Sequence, residues 1–541
     1  MGLNIFLEKT LHTPKLYFYS STFFNVVFFT LTFSLLKDSG LHTFFNSDTL
    51  YLSSLYQDIV EMGGSVNNWY IGTAPNFFPD MVLFLITSTI ANNFIISFIL
   101  YSIVQYLLIV ILINQILKVC VEKKERYYIL SLGNFLLALI PLSSYFVQDF
   151  NFSFHLMNNA FHNGALVNAL IALNFFIRII QKRSILLFVL LFITIFIGII
   201  SDRFFTIYFV LPSALTTIVS LLDKTNRKVK FSFLAGLTLI TIASYTTFNL
   251  LKASKILLIF NKSLSINFNV IKASWSIFYE QFSYYLSVFD SRSFVLYFSL
   301  ISLFLLGYFI YMEFKTKRLK SINPKLLLTL FLFCFIPIVL CVPVLAGIYS
   351  GWDTIRYNFQ AIVLALLFAG LTLNYSSKRT NHIKTSFFGA SFIVTFIFTC
   401  SILFSVQFYS NLNNIVHYYP EKVKTIDIIA KRYNLQFGVS NYWTARHTMM
   451  FSKEKVRPYN CFTDMAPWYY FCNKDWFYIN PYTKDSVNFN FVIIDGPEHE
   501  ERFKKVLGTP LEIIDTNDIK IYITKPFRYN ETTYQPYYIN D

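Results

Sequence analysis

Charge is what this chain has least of. Only 14% of its 541 residues are Asp, Glu, Lys or Arg, too few to solvate the surface of a soluble protein of this length. Cysteine is sparse too, and none of the six falls at a metal-ligand spacing. Cys334, Cys341 and Cys400 lie inside apolar runs and read as core residues. Cys461 and Cys472 stand in a polar C-terminal region, where a disulfide between them is permitted. No His/Cys cluster, P-loop or dinucleotide glycine fingerprint occurs in a strand-to-helix context, which argues against direct use of ATP or a nicotinamide. Internal repeats and low-complexity tails are absent as well, and the missing repeat speaks against an inverted-repeat transporter.

What is present is apolar: 55% of the residues are hydrophobic, with 62 Phe and 36 Tyr. They fall in runs of about 20, the length that crosses a bilayer as a helix, whereas a β-barrel would show alternating segments of about ten. The sequence therefore predicts a polytopic α-helical membrane protein. Its net charge of +15 does not call for a nucleic-acid partner, because Lys and Arg gather in the short loops between alternate apolar runs, as in segments held inside near anionic membrane lipids.

In chain order, Lys9 and Lys15 precede a first span over about residues 16 to 36. It is too long for a signal-peptide core and lacks a small-residue cleavage site, so it reads as an anchor. Residues 37 to 93 form an acidic first external loop with Asp38, Asp48, Asp58, Glu61 and Asp80. Within it, Leu50, Leu52, Leu55, Tyr56 and Ile59 have a helical spacing suited to the membrane surface, ended by Met62-Gly63-Gly64-Ser65. Residues 77 to 90 are apolar but short, and their crossing would put the Lys118 to Arg126 cluster outside, so they read as interfacial or re-entrant. Further spans are expected near 94–117, 128–146, 163–180, 185–200, 204–222, 231–250, 294–313, 326–347, 358–374 and 385–406, about eleven in all. The basic loops then share one side, with the N-terminus in and the C-terminus out. The transmembrane domain is thus residues 1–406. Residues 407–541 form a small external α/β domain, with helices at Pro420 to Tyr433 and Pro497 to Leu507 and strands at Asn490 to Ile494 and Ile519 to Thr524.

Ionisable residues at the outer ends of spans are functional candidates, because such groups are costly unless they pair or line a cavity. Asp48 has the chemistry of a general base and equally that of an N-cap for a helix starting at Thr49. Arg203 and Arg356 each place a planar, permanently charged fork where a lipid phosphate would lie; the simpler reading pairs them with Asp202 and Asp353 or lets them snorkel to headgroups. Asp149, His155 and His162 in the second external loop make a weak metal case, and Asp80 is either an interfacial cap or a second acidic site residue.

The span number, the acidic first loop with Asp48, the Arg356-Tyr357 pair entering a late span, the external C-terminal domain and the segment Gly438-Val439-Ser440-Asn441-Tyr442-Trp443-Thr444-Ala445 together resemble the GT-C superfamily of membrane glycosyltransferases. Within it the similarity is to the protein O-mannosyltransferase and lipid A aminoarabinose transferase type. The resemblance implies inverting transfer of a sugar from a polyprenyl-phosphate donor to a lipid, glycan or protein acceptor at the outer face of a bacterial inner membrane. It assigns Asp48 as base and Arg356 to the carrier phosphate; Arg203 stays a phosphate candidate on its own chemistry, and Tyr357 and Tyr442 are further candidate site residues. The chain departs from the family in having Asp48-Thr49 where many members have an Asp-Glu pair. The superfamily contains metal-dependent and metal-independent members, so a divalent metal stays open. Two rivals remain: an envelope-polysaccharide polymerase or ligase, which concentrates its arginines in one or two large late loops, and a transporter or flippase, which carries charge near mid-span.

Overall fold

The computed structural model describes residues 14–35, 41–42, 44–91, 93–146, 152–159, 161–182, 184–223, 225–260, 267–288, 291–317, 322–376, 413–516 and 518–539. Helices occupy every expected span that these residues cover: Pro14–Leu35, Phe94–Cys120, Lys123–Phe146, Asn163–Gln181, Ile185–Ser201, the Thr206–Val210 turn running into Leu211–Ser220, Arg227–Ala253, Ser291–Lys317, Pro324–Leu345 and Phe359–Ser376. The expected span at 385–406 lies outside the described residues. Among the described residues, five helices are long and apolar enough to cross a membrane, namely Phe94–Cys120, Asn163–Gln181, Arg227–Ala253, Val295–Lys315 and Pro324–Leu345. Phe77–Ala91, Ile185–Ser201, Thr206–Ser220 and Phe359–Leu371 are shorter apolar helices. This is a helical membrane protein bearing a sheet domain.

Small residues set the closest helix approach. A Cβ on Gly133 would strike the backbone of Leu367, and one on Gly370 would strike that of Ile129, so the helices Lys123–Phe146 and Phe359–Ser376 meet through reciprocal glycine notches.

Two sheets organise the rest. Strand β1 (Trp69–Ile71) pairs in parallel with β2 (Leu258–Ile259). Its other neighbour is the antiparallel β5 (Cys472–Asn473), so one three-stranded sheet joins the first loop, the middle connection and the C-terminal domain. The larger sheet runs β4-β3-β6-β8-β7, with β9 on β8. There β3 (Phe437–Ser440), β4 (Arg457–Asn460) and β6 (Phe489–Ile494) are parallel, and β7 (Glu512–Asp515), β8 (Lys520–Tyr529) and β9 (Pro536–Tyr538) add antiparallel pairings. The expected helices appear as Glu421–Tyr433 and Pro497–Leu507, the latter stopped at Gly508, whose φ of 73° suits glycine.

Two expectations are revised. The stretch expected along the membrane surface is a helix, Tyr51–Tyr56, followed by a wide turn, Gln57–Glu61. Its first five residues are buried on all sides, since Tyr51, Leu52, Ser53, Ser54 and Leu55 are each at most 4% exposed. The polar face that periodicity assigned to water is covered by the C-terminal domain: Arg446 donates to the Ser54 hydroxyl there. Cys461 and Cys472 are free buried thiols. The Sγ of Cys472 faces the Trp468 carbonyl at 3.7 Å, and that of Cys461 faces His499 Nε2 at 4.0 Å.

Candidate functional site

The turn that carries Asp48 is fixed from both sides. Phe45 is fully buried among Phe94, Phe98, Tyr418 and Phe451. Asn46 Oδ1 accepts from the backbone N–H groups of Asp48 at 3.0 Å and Thr49 at 3.1 Å. Asn46 thus closes a turn over Asp48 and Thr49, the helix Tyr51–Tyr56 has Leu50 at its N-cap with no side-chain cap bond, and the Asp48 side chain is directed elsewhere. Ser47 donates to the carbonyls of Tyr442 at 2.9 Å and Trp443 at 3.0 Å, which ties the turn to the C-terminal domain.

The carboxylate of Asp48 lies between two donors. Tyr442 donates its hydroxyl to Oδ1 at 2.8 Å, and Arg356 Nη1 stands 3.4 Å from Oδ2. The Arg356 contact is longer than a tight charge-assisted bond of about 2.7–2.9 Å, and the side chains of Arg356 and Asp48 keep 22% and 19% exposure. Asp48 thus has a fixed direction and an open edge.

Arg356 ends the short helical turn Trp352–Tyr357, with its guanidinium over the rings of Phe161 at 5.4 Å and Tyr357 at 5.2 Å. These faces hold a cation through their quadrupoles while leaving its edge to hydrogen-bond. Tyr357 stacks on Phe204, with ring centres 5.1 Å apart and planes 9° from parallel. The His162 ring lies 4.0 Å from Phe204 and 5.4 Å from Tyr357, and its Nδ1 is 2.6 Å from Asp202 Oδ2. Asp202 also accepts from the Phe204 N–H at 2.9 Å. An aromatic step therefore joins the Asp48–Arg356 pair to the His162–Asp202 pair.

Arg203 follows a different course from the one its neighbours suggested. Asp202 pairs with His162 instead, and Arg203 Nη2 donates to the Thr73 carbonyl at 3.1 Å with its guanidinium 5.0 Å over Phe248. It sits at the rim, one residue from Phe204. Asp80 is 1% exposed, accepts from the Tyr101 hydroxyl, and meets the backbone N–H of Gly164 in the first turn of Asn163–Gln181. It caps that helix and is not part of the Asp48 cluster. Asp149 lies outside the described residues, as does the side chain of Asp353.

Tyr442 opens the helix Tyr442–Phe451 directly after β3. The helix's first donors are taken within the protein: Asn441 Oδ1 accepts from Thr444 N–H at 2.8 Å, and Asp495 at the end of β6 accepts from Asn441 N–H at 3.0 Å. What this helix offers the site is a side chain. Burial first, then the Asp48 charge, pushes the Tyr442 phenol well above its ordinary range, so it stays protonated and donates. Burial and Asp48 raise the neighbouring Tyr470 in the same way.

Tyr470, Phe161, Phe204, Asn46 and Ser47 were not visible as site residues in the sequence. Only Asn46 and Ser47 carried a signal, as polar residues abutting Asp48. Among the described residues no group of three or more His, Cys, Asp or Glu is disposed to hold a metal ion. The two partners of Asp48 are donors rather than ligands, and a second cation beside Arg356 would be repelled, so a divalent metal does not fit at Asp48. No protein-family model matches the chain, and no curated protein is significantly similar to it.

Proposed function

We propose that this protein is an inverting membrane glycosyltransferase of the GT-C type, with about eleven spans and its N-terminus inside. It moves a sugar from a polyprenyl-phosphate donor to an acceptor hydroxyl at the outer surface. The observation that carries this reading is the partly open Asp48 carboxylate, aimed by Tyr442 and facing Arg356, where the first loop, a late span and the C-terminal domain meet.

Asp48 accepts the proton of the acceptor hydroxyl as its oxygen bonds to the anomeric carbon. The bond between that carbon and the carrier phosphate breaks, and its electron pair leaves with the phosphate. Arg356 stabilises the charge that develops on the phosphate oxygens. Tyr442 fixes which carboxylate oxygen faces the acceptor, while Arg203 at the rim meets the lipid phosphate as it approaches. Lipid, glycan and protein acceptors all bring a hydroxyl, so the geometry at Asp48 serves each.

The test compares purified wild type with Asp48→Asn for sugar release from labelled polyprenyl-phosphate sugars. Equal turnover by both removes Asp48 as base. No turnover with any donor, together with movement of lipid or solute across vesicles, replaces the transferase reading with transport.

A further inference from the structure

Beside Arg356 runs a segment held by several of its backbone carbonyls, on which the side-chain amides of Asn158 and Asn159 stand unpaired. The carbonyls of Leu156 and Met157 accept from Gln105 Nε2 at 2.8 Å and Ser102 Oγ at 2.6 Å. Those of His155 and Asn158 accept from Asn163 Nδ2 at 2.7 and 3.1 Å, and that of Phe161 accepts from Gln360 Nε2 at 3.0 Å. Four side-chain groups from three helices thus hold this short stretch in one conformation. Yet Asn158 and Asn159 are both 0% exposed, and the Nδ2 and Oδ1 atoms of each have no partner. A buried polar group left unpaired keeps its full desolvation penalty. Two whole amides kept so, on a stretch fixed so thoroughly, mark a place built for something other than stability.

Position places these amides close to Arg356. Phe161 carries the Arg356 guanidinium and His162 packs on Tyr357. At 3.8 Å per residue, Asn159 and Asn158 lie within about 8 and about 11 Å of Phe161. The charge of Arg356 also reaches this stretch: burial, and after it Arg356, pushes His155 down to about 3. Chemistry says what fits. A phosphate has no donor for the Oδ1 atoms and a polyprenyl chain pairs with nothing, whereas a hydroxyl both donates and accepts and so matches an amide on either side.

We infer that Asn158 and Asn159 bind the hydroxyl groups of the donor's sugar, which makes them specificity-determining residues beside Arg356. This inference rests on the glycosyl-transfer reading. The test measures binding by the full-length protein in detergent of farnesyl phosphate and a panel of farnesyl-phosphate hexoses. Wild type is expected to bind at least one sugar-bearing probe about tenfold tighter than farnesyl phosphate, which is about 1.4 kcal/mol. Asn158→Leu and Asn159→Leu, close in size to Asn, abolish that difference, change farnesyl-phosphate binding less than about twofold, and hold or raise the melting temperature. Asn158→Ser and Asn159→Ser, which shorten the side chain and keep it polar, repeat the measurement should the leucine variants fail to fold.

If the sugar-dependent difference persists in the variants, ordered water alone satisfies these amides and the inference falls. It falls equally if wild type shows no difference across the panel. Arg356→Lys separates the two readings: it weakens both classes of probe when the phosphate sits at Arg356. If it weakens neither while the asparagine variants still lose the difference, the carrier-phosphate assignment fails and the sugar assignment stands.

Discussion

Asp48 and Asp58 lie ten residues apart in one loop, and both reach the C-terminal domain, but they are held in opposite ways. Asp58 is 2% exposed and accepts from Trp69 Nε1 at 2.6 Å, Trp476 Nε1 at 2.7 Å and Asn473 Nδ2 at 2.8 Å. Gly64 packs so closely on it that a Cβ there would overlap its carboxylate. Asp48 has one short bond, one long ion pair and an open edge. A closed ring of donors makes a carboxylate a rivet, and a partial one leaves it able to take a proton. The charge is the same in both, and donor count and access decide the role.

The sharpest way to break this contrast is Asp48→Asn, which we expect to lower turnover by about 10²–10⁴-fold, the usual span for a general base, with the melting temperature nearly unchanged. Asp58→Asn should do the reverse. Its amide turns a donor toward neighbours that are themselves donors, so it should destabilise the fold by about 3 kcal/mol, at about 1–3 kcal/mol per indole N–H left unmatched. Thermal unfolding reads this, with residual turnover tracking the folded fraction. If Asp58→Asn folds normally and is inactive, the division of roles is wrong.

Arg356→Lys keeps charge but loses the planar fork and its stacking on Phe161 and Tyr357, and a loss of about 10–100-fold in kcat/KM is expected. Trp476→Phe removes one of the donors to Asp58 and should cost about 1–2 kcal/mol of stability without altering KM. Smallest is Tyr442→Phe, which frees one oxygen of Asp48. A fall in kcat of about tenfold, or about 1.4 kcal/mol, with KM held, would mark Tyr442 as a positioning residue.

Much of the architecture was legible because it is local. Apolar runs of bilayer length located the helices, and Gly508 and the apolar segments Asn490 to Ile494 and Ile519 to Thr524 located elements of the C-terminal domain. Asp48, Arg356 and Tyr442 could be singled out by residue type and place. Their meeting could not, since 308 residues separate Asp48 from Arg356 and 394 separate it from Tyr442, and no local pattern encodes such a contact. The burial of Tyr51–Tyr56 was hidden for the same reason: its serine face finds Arg446 from far along the chain. Arg203 misled because adjacency to Asp202 suggested a pair, whereas Asp202 faces His162 across another loop.

Strand β1 has its own consequence for how the protein is made. It pairs with β2 and then with β5, whose first residue is Cys472, and Tyr442 meets Asp48 only from the same late region. A ribosome that has delivered every helix through Phe359–Ser376 has therefore produced a chain in which Asp48 still lacks its Tyr442 partner. On the proposed glycosyl-transfer reading, a lipid-linked sugar would meet a complete site only once synthesis has passed the strand that closes the sheet.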